Sequence, residues 1–254
     1  MAQGSMLMKF AVTEPRFDIH NSALPILCRA CEARHKGVCG ALNPQQLTEL
    51  ARHTTKHQFD ASAGLVADGA KVERYANIMS GVIKLAKVTA DGRQQIVGLQ
   101  FAPDFLGRPF SEKSDFGVEA ATDVRVCSFP RDVLDKLTRE SPELEHRLHA
   151  QTLKELDEAR DWMMALGRKS AGERVAGFLC FIAEHINPEM ELKKGPVTFD
   201  IPLKRADMAD FLGLTIETVS RQLTKLRQAR LIEIENNRKV IVPDLEKLQA
   251  AAGT

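Results

Sequence analysis

The sequence predicts an α+β chain made of an antiparallel β-roll, one long helix and a C-terminal winged helix-turn-helix, in that order. Three observations predict it. Between about residues 56 and 130, short apolar runs alternate with period two and are parted by regular turn signals. After Pro142 neither proline nor glycine interrupts the chain until Gly167. From Leu203 to Ile232, two amphipathic stretches flank a glycine, and a hairpin pattern follows.

Composition sets the bounds. The chain has 254 residues, 44% hydrophobic and 27% charged, ordinary values for a globular protein. No apolar run approaches the roughly 20 residues of a membrane helix, so no membrane partner is expected. The start, M-A-Q-G-S-M-L-M-K-F, lacks a basic region leading into a long apolar one. A cytoplasmic location with reduced thiols is therefore expected. Net charge is only +1, so any nucleic-acid surface must be local. No nucleophile–base pair, phosphate loop or HExxH pattern stands out, so no enzyme is expected.

Residues 1–45 form a segment of weak periodicity. Three of the five cysteines fall in C-R-A-C-E-A-R-H-K-G-V-C, from Cys28 to Cys39, among Arg29, Arg34, His35 and Lys36. The odd count argues against a disulfide framework. Clustered reduced thiols mean metal, redox work or chance. Cys28, Cys31, His35 and Cys39 suffice for a tetrahedral zinc site.

A helix is expected at Pro44–Thr54, with Leu47 and Leu50 inward. The roll occupies 46–140. Its runs include V-I-K-L-A-K-V, Q-I-V-G-L-Q-F and V-R-V-C-S-F. Its turns include A-D-G-A at 67–70, S-G at 80–81 and A-D-G at 90–92. Val82, Lys84, Ala86 and Val88 are expected on one face, and Ile83, Leu85 and Lys87 on the other.

Residues 141–168 form the long helix. Ser141 serves as N-cap and Pro142 suits the first turn. Some 25 residues would span roughly 37 Å. Thr152, Leu156, Ala159, Met163 and Leu166 recur at spacings of 4, 3, 4 and 3, an a/d seam. The flanks (Lys154, Glu155, Asp157, Glu158, Arg160, Asp161) are charged. A narrow seam with charged flanks fits a homodimer; packing within the chain is the alternative. Trp162 and the neighbouring methionines read as packing near it.

Residues 169–254 form the last module. Val175, Phe178, Leu179 and Ile182 share a helix face, with Cys180 as packing. N-P-E at 187–189 and K-K-G-P at 193–196 mark loops. Met208, Phe211 and Leu212 form the inner face of a short helix that Gly213 ends. Thr215 caps a second helix whose Val219, Leu223 and Leu226 face inward. L-I-E-I-E-N-N-R-K-V-I-V reads as a hairpin turning at Asn236 and Asn237. The start of the second helix meets base edges in such a module. Glu217 suits cytosine N4, and Arg221 suits guanine O6 and N7. Thr215, Glu217, Thr218, Ser220, Arg221 and Lys225 are the candidate contacts with double-stranded DNA. Glu217 also stabilises the helix dipole. Lys204, Arg205, Arg227, Arg230, Arg238 and Lys239 add phosphate-seeking charge beside Lys225.

The order of modules resembles the CRP/FNR superfamily of bacterial transcription regulators, over about residues 20–245. The resemblance rests on S-G-V-I-K-L at 80–85, D-G-R-Q-Q-I-V-G at 91–98 and P-D-F-L-G at 103–107. It continues in K-S-A-G-E-R-V-A-G-F at 169–178 and L-G-L-T-I-E-T-V-S-R at 212–221. It implies a cupin-like roll of the cyclic-nucleotide-binding type. Glu217 followed by Ser220-Arg221 resembles the FNR branch, which reads T-T-G-A-T half-sites. The cyclic-AMP branch usually carries arginine where Ile216 stands and glycine where Ser220 stands.

The resemblance also implies a cofactor. Three N-terminal cysteines and one from the roll hold an oxygen-labile 4Fe–4S cluster in that branch, one per subunit. Cys28, Cys31, Cys39 and Cys127 match them. The spacing C-x2-C-x7-C is similar to FNR-like regulators of rhizobia; the enterobacterial pattern has a shorter second gap. An intact cluster favours the dimer, which matches a two-fold operator. RNA polymerase is the implied further partner, through surface loops such as Thr89–Arg93. The G-E-L…R-S-A stretch that holds a cyclic nucleotide is missing, and Arg108 is the lone phosphate binder in its place.

Overall fold

The computed structural model describes residues 24–29, 31–186 and 195–253. The opening decapeptide and the N-P-E loop lie outside the described residues. The cysteine segment is folded in short pieces: α1 (Ile26–Arg29), α2 (Glu32–Lys36), a 3-10 turn at Val38–Ala41 and α3 (Pro44–Arg52). A reciprocal capping box starts α3. Asn43 Oδ1 accepts from the Gln46 amide at 2.9 Å, and Gln46 Oε1 accepts from the Asn43 amide at 3.1 Å. The helix stops at Arg52, two residues short of the expected end. The Thr54 hydroxyl folds back onto the Leu50 carbonyl at 2.7 Å, and β1 begins at Thr55.

The roll is two antiparallel sheets of four strands. The strands are β1 (Thr55–Phe59), β2 (Gly64–Val66), β3 (Arg74–Ser80), β4 (Val82–Val88), β5 (Gln94–Phe101), β6 (Phe105–Leu106), β7 (Gly117–Ala120) and β8 (Val124–Pro130). One sheet runs β1-β8-β3-β6, the other β2-β7-β4-β5. Gly81 at φ 90° turns β3 into β4; a Cβ there would lie 2.2 Å from the Asp123 carbonyl oxygen.

Strand β4 alternates as expected but is covered on both faces. Val82, Ile83 and Lys84 are all buried, and a bulge follows between Leu85 and Ala86. Ile83 packs inside the roll, whereas Val82 belongs to a core shared with the C-terminal module.

α4 (Arg131–Glu140) closes the roll and α5 (Pro142–Arg168) follows as the long helix. At 27 residues α5 is about 40 Å long. Ser141 Oγ accepts from the Leu144 amide at 3.3 Å, the expected cap. α6 (Ala171–Ile186) buries Val175, Phe178, Leu179, Cys180 and Ile182. After it come β9 (Val197–Asp200), α7 (Arg205–Leu212), α8 (Ile216–Gln228), β10 (Glu233–Glu235), β11 (Lys239–Val242) and α9 (Leu245–Ala251). Gly213 caps α7 in the left-handed region, at φ 61°. Asn236 and Asn237, at φ 50° and 58°, turn the β10–β11 hairpin, whose sheet runs β10-β11-β9.

The roll and the C-terminal module share a core. Val82, Ile96, Leu99 and Phe101 of the roll cluster with Val175, Phe178, Phe211 and Leu212. Burying such side chains contributes roughly 1.5–3 kcal/mol each. Trp162 of α5 joins them, its ring 4.5 Å from Phe211 and 5.6 Å from Phe181. Beneath this core Lys84 Nζ reaches Asp207 Oδ1 at 2.7 Å and Glu119 Oε1 at 2.9 Å. Burial alone would lower its pKa; hydrogen bonds to the two carboxylates reverse this, and the net direction is upward.

Candidate metal centre and nucleic-acid interface

The sheet places Cys127 on β8, opposite Lys56 of β1 and Asn77 of β3. Directly opposed residues share a sheet face, so a cation, a thiol and an amide stand in one row. The cysteine segment packs over this row. Asn77 Nδ2 donates to Cys39 Sγ at 3.0 Å. Val38 and Leu42 join a core with Phe105, Phe129, Leu144 and Leu148, and Cys39 lies against it.

The shift of Cys39 shows the four cysteines as neighbours. Burial pushes the Cys127 thiol up to about 12, helped by Cys28 and Cys31 and opposed by Lys56. Burial also raises Cys39, with Cys127, Cys28 and Cys31 adding to it and the Asn77 hydrogen bond opposing. Cys28 is raised by burial and then by Cys31; Arg34 and Lys56 pull it down. Cys28, Cys39 and Cys127 thus hold their protons at neutral pH, and a soft metal would have to displace them. Among the described residues no three His, Cys, Asp or Glu side chains converge closely enough to hold a metal ion. The set is gathered but not closed.

The donor chemistry fits a group that takes thiolates: four sulfurs, nearby Arg34 and Lys56, and little else to ligate with. His35, the zinc alternative's fourth ligand, is exposed, and its Nε2 lies 3.0 Å from Arg34 Nη2.

The segment is fastened to α5. Arg147 Nη2 donates to the His35 carbonyl at 3.2 Å and to the Lys36 carbonyl at 2.8 Å. These carbonyls end α2, where a cation is favoured by the helix dipole. Sequence reasoning missed Arg147 and Asn77, because neither shows a pattern until the chain is folded.

Further along α5 the seam faces outward. Thr152, Leu156, Ala159 and Met163 are exposed, Met163 by 73%. Leu166 is half-buried over Gly213 and so backs onto its own chain. Met164, grouped with Trp162 as packing, is 50% exposed, and Leu153 is 59% exposed. Both widen the seam and lie one position off its heptad register. Two of the charged flank residues bond back onto the chain. Glu155 Oε1 accepts from Gln100 Nε2 at 3.1 Å, and Glu158 Oε1 lies 3.1 Å from His185 Nε2.

α8 presents its polar face to solvent. Thr215 Oγ1 caps it by accepting from the Thr218 amide at 3.2 Å. Glu217, Ser220, Arg221 and Lys225 are exposed and Thr218 is half-buried, while Val219, Leu223 and Leu226 are buried. The Glu217 carboxyl is held below its usual range by its own backbone amide and by Thr215. Arg221 Nη2 rests 3.4 Å from Thr218 Oγ1. Three phosphate candidates are engaged within the chain, Lys239 through Glu235 at 3.1 Å. Lys204 Nζ donates to Ser62 Oγ at 2.8 Å, and Arg205 Nη2 to the Asn237 carbonyl at 3.0 Å.

A cleft of about 520 Å³ lies between the roll and α4–α5. Both arginines in its wall are engaged. Arg108 pairs with Asp115, and Arg74 donates to Ser128 and Thr55.

Comparison with known proteins gives the following. Residues 173–251 match the family description "Crp-like helix-turn-helix domain", and residues 56–141 match "Cyclic nucleotide-binding domain". The chain is 53% identical to a "Probable transcriptional activator" of Rhizobium leguminosarum bv. viciae, over 92% of this chain and 96% of the relative. It is 39% identical to "Transcriptional activator protein FnrL" of Cereibacter sphaeroides, over 89% and 92%. Among solved structures, FixK2 from Bradyrhizobium japonicum superimposes with a TM-score of 0.70 at 28% identity, covering 78% of this chain and 96% of that one.

Proposed function

Since the chain belongs to the CRP/FNR superfamily and is a DNA-binding transcriptional activator rather than an enzyme, we propose that it senses oxygen through a 4Fe–4S group held by Cys28, Cys31, Cys39 and Cys127. The observation that carries this is the gathering of three N-terminal thiols over the roll cysteine, on a segment tied to α5 by Arg147. Bound there, such a group supplies an oxygen-labile crosslink between segment and roll.

The chain's own residues do the rest. The 3-10 turn carrying Cys39 buries Val38 against Leu144 and Leu148, so the position of the segment is felt at the start of α5. Arg147 adds two charge-assisted hydrogen bonds. Further down α5, Leu156, Ala159 and Met163 meet the same residues of a second copy across a two-fold axis. Two α8 helices then face successive major grooves, as palindromic T-T-G-A-T half-sites require. Glu217, Ser220 and Arg221 read the bases. Thr215 and Thr218 hold the start of α8, and Lys225 meets phosphate. The turn Thr89–Arg93 is a preformed surface for RNA polymerase: Asp91 pairs with Arg93 at 2.7 Å, and Val88 beside it is exposed.

The test is an ultraviolet–visible spectrum with iron and sulfide assays on protein purified without oxygen, repeated in air. A band near roughly 400 nm that bleaches in air, with about four irons and four sulfides per chain, is the expected result. Colourless protein with stoichiometric zinc would leave the DNA-binding reading standing and end the oxygen-sensing one.

Two substitutions probe the relay and the reading head. Arg147→Ala removes charge-assisted hydrogen bonds worth about 1.5–3 kcal/mol. The anaerobic protein should keep its colour while dimer dissociation rises roughly tenfold. Sedimentation at graded concentrations measures this, and an unchanged dimer would remove Arg147 from the relay. Arg221→Ala should cost about 1–3 kcal/mol of discrimination at one base pair. Equal relative affinities for the intended operator and one altered at that guanine, before and after substitution, would exclude Arg221 as a base reader.

A further inference from the structure

We propose that Asn77 is a positioning residue for the cysteine centre, holding Cys39 beside Cys127 and tuning the sulfur of Cys39 once it is a ligand. The inference rests on the reading that the four cysteines hold an iron–sulfur group.

Three observations carry it. Asn77 stands directly across from Cys127 in the β3–β8 ladder. Its side-chain N–H donates to Cys39 Sγ at 3.0 Å, so one residue links the cysteine of the roll to a cysteine of the segment. The side chain is 97% buried, at 3% exposure, and its Oδ1 has no hydrogen-bond partner. Asparagine is a costly choice for the interior of a strand; a valine or threonine would pack better. A buried, half-satisfied amide calls for an explanation in what it touches.

The chemistry of an amide supplies one. A metal-bound thiolate accepts hydrogen bonds and donates none; a free thiol also carries a weak donor. The amide offers both kinds of group on one rotor. Its N–H already points at the Cys39 sulfur, as a ligating thiolate requires, and its oxygen carries no competing bond. Hydrogen bonds to cluster sulfurs withdraw charge and help set reduction potential. Partners of metal ligands typically matter by 10–100-fold in metal affinity.

Two variants test this. Asn77→Asp keeps the shape and removes the N–H; Asn77→Ala removes the group without adding charge. Full-length protein is loaded anaerobically with ferrous iron and sulfide. Iron loss to a competing chelator is followed, together with reduction potential and the far-ultraviolet dichroism of the metal-free chains. Both variants should load, lose iron to the chelator about 10–100-fold more readily, and show a more negative potential, with dichroism unchanged. Parent-like chelator resistance and potential in both would overturn the proposal. Metal-free variants that have lost the roll's dichroism would make Asn77 a residue of the core, and overturn it likewise. A parent chain that takes up no iron–sulfur group would instead overturn the reading of the centre itself.

Discussion

Cys127→Ser should leave the anaerobically purified protein pale, with iron falling from the expected value of about four per chain to below about one, and should abolish retardation of a two-half-site operator. Serine is close to isosteric on a strand, and Cys127 is only partly buried, so the roll should keep its dichroism. What is lost is the sulfur in the row with Lys56 and Asn77. Without it the three N-terminal thiols have no counterpart on the roll, and the segment is held by the packing of Val38 and Leu42, the Asn77–Cys39 hydrogen bond and Arg147. Iron assay and operator binding, measured side by side on variant and parent, check this. Retained iron would mean that the ligands all come from the N-terminal segment.

Met163→Glu is expected to act at the other end of the relay. It places a carboxylate at the most exposed apolar position of the seam. In a two-fold dimer the new charge would face its own copy or be desolvated near it. The anaerobic variant should stay coloured, sediment as a monomer and bind a two-half-site operator about 10²–10⁴-fold more weakly, because the second half-site no longer adds avidity. Affinity for a single half-site should change little. Dimeric sedimentation would move the interface off this face of α5.

Where a local rule set the outcome, the sequence was readable. Ser141-Pro142 starts α5, Gly213 ends α7 and Asn236-Asn237 turns the wing; each is a matter of one or two backbone angles or one cap. The candidate contacts on α8 follow from helical period alone. Alternation held on β4, with Val82, Lys84 and Ala86 toward the C-terminal module and Ile83 and Leu85 inside the roll, but it could not show that both faces are covered. The charged flanks of α5 misled in the same way, since Glu155 and Glu158 find partners on Gln100 and His185. The cysteine segment showed its chemistry but not its shape, because pieces of four or five residues are too short to leave a period. Asn77 and Arg147 act through residues far away in sequence, and no spacing announces them.

The core shared by the roll and the C-terminal module has a consequence for how such a chain can be recombined. Val82, Ile96, Leu99 and Phe101 are covered by helices that begin more than one module later, and Lys84 would be left with one carboxylate if α7 were exchanged for a helix lacking Asp207. A chimera cut at the end of α5 would therefore bring a foreign reading head to a surface shaped for this one. The transplantable unit is the helix-turn-helix together with the β4–β5 face that seats it. Specificity for a new operator is more safely introduced at Glu217, Ser220 and Arg221 than by grafting a whole domain.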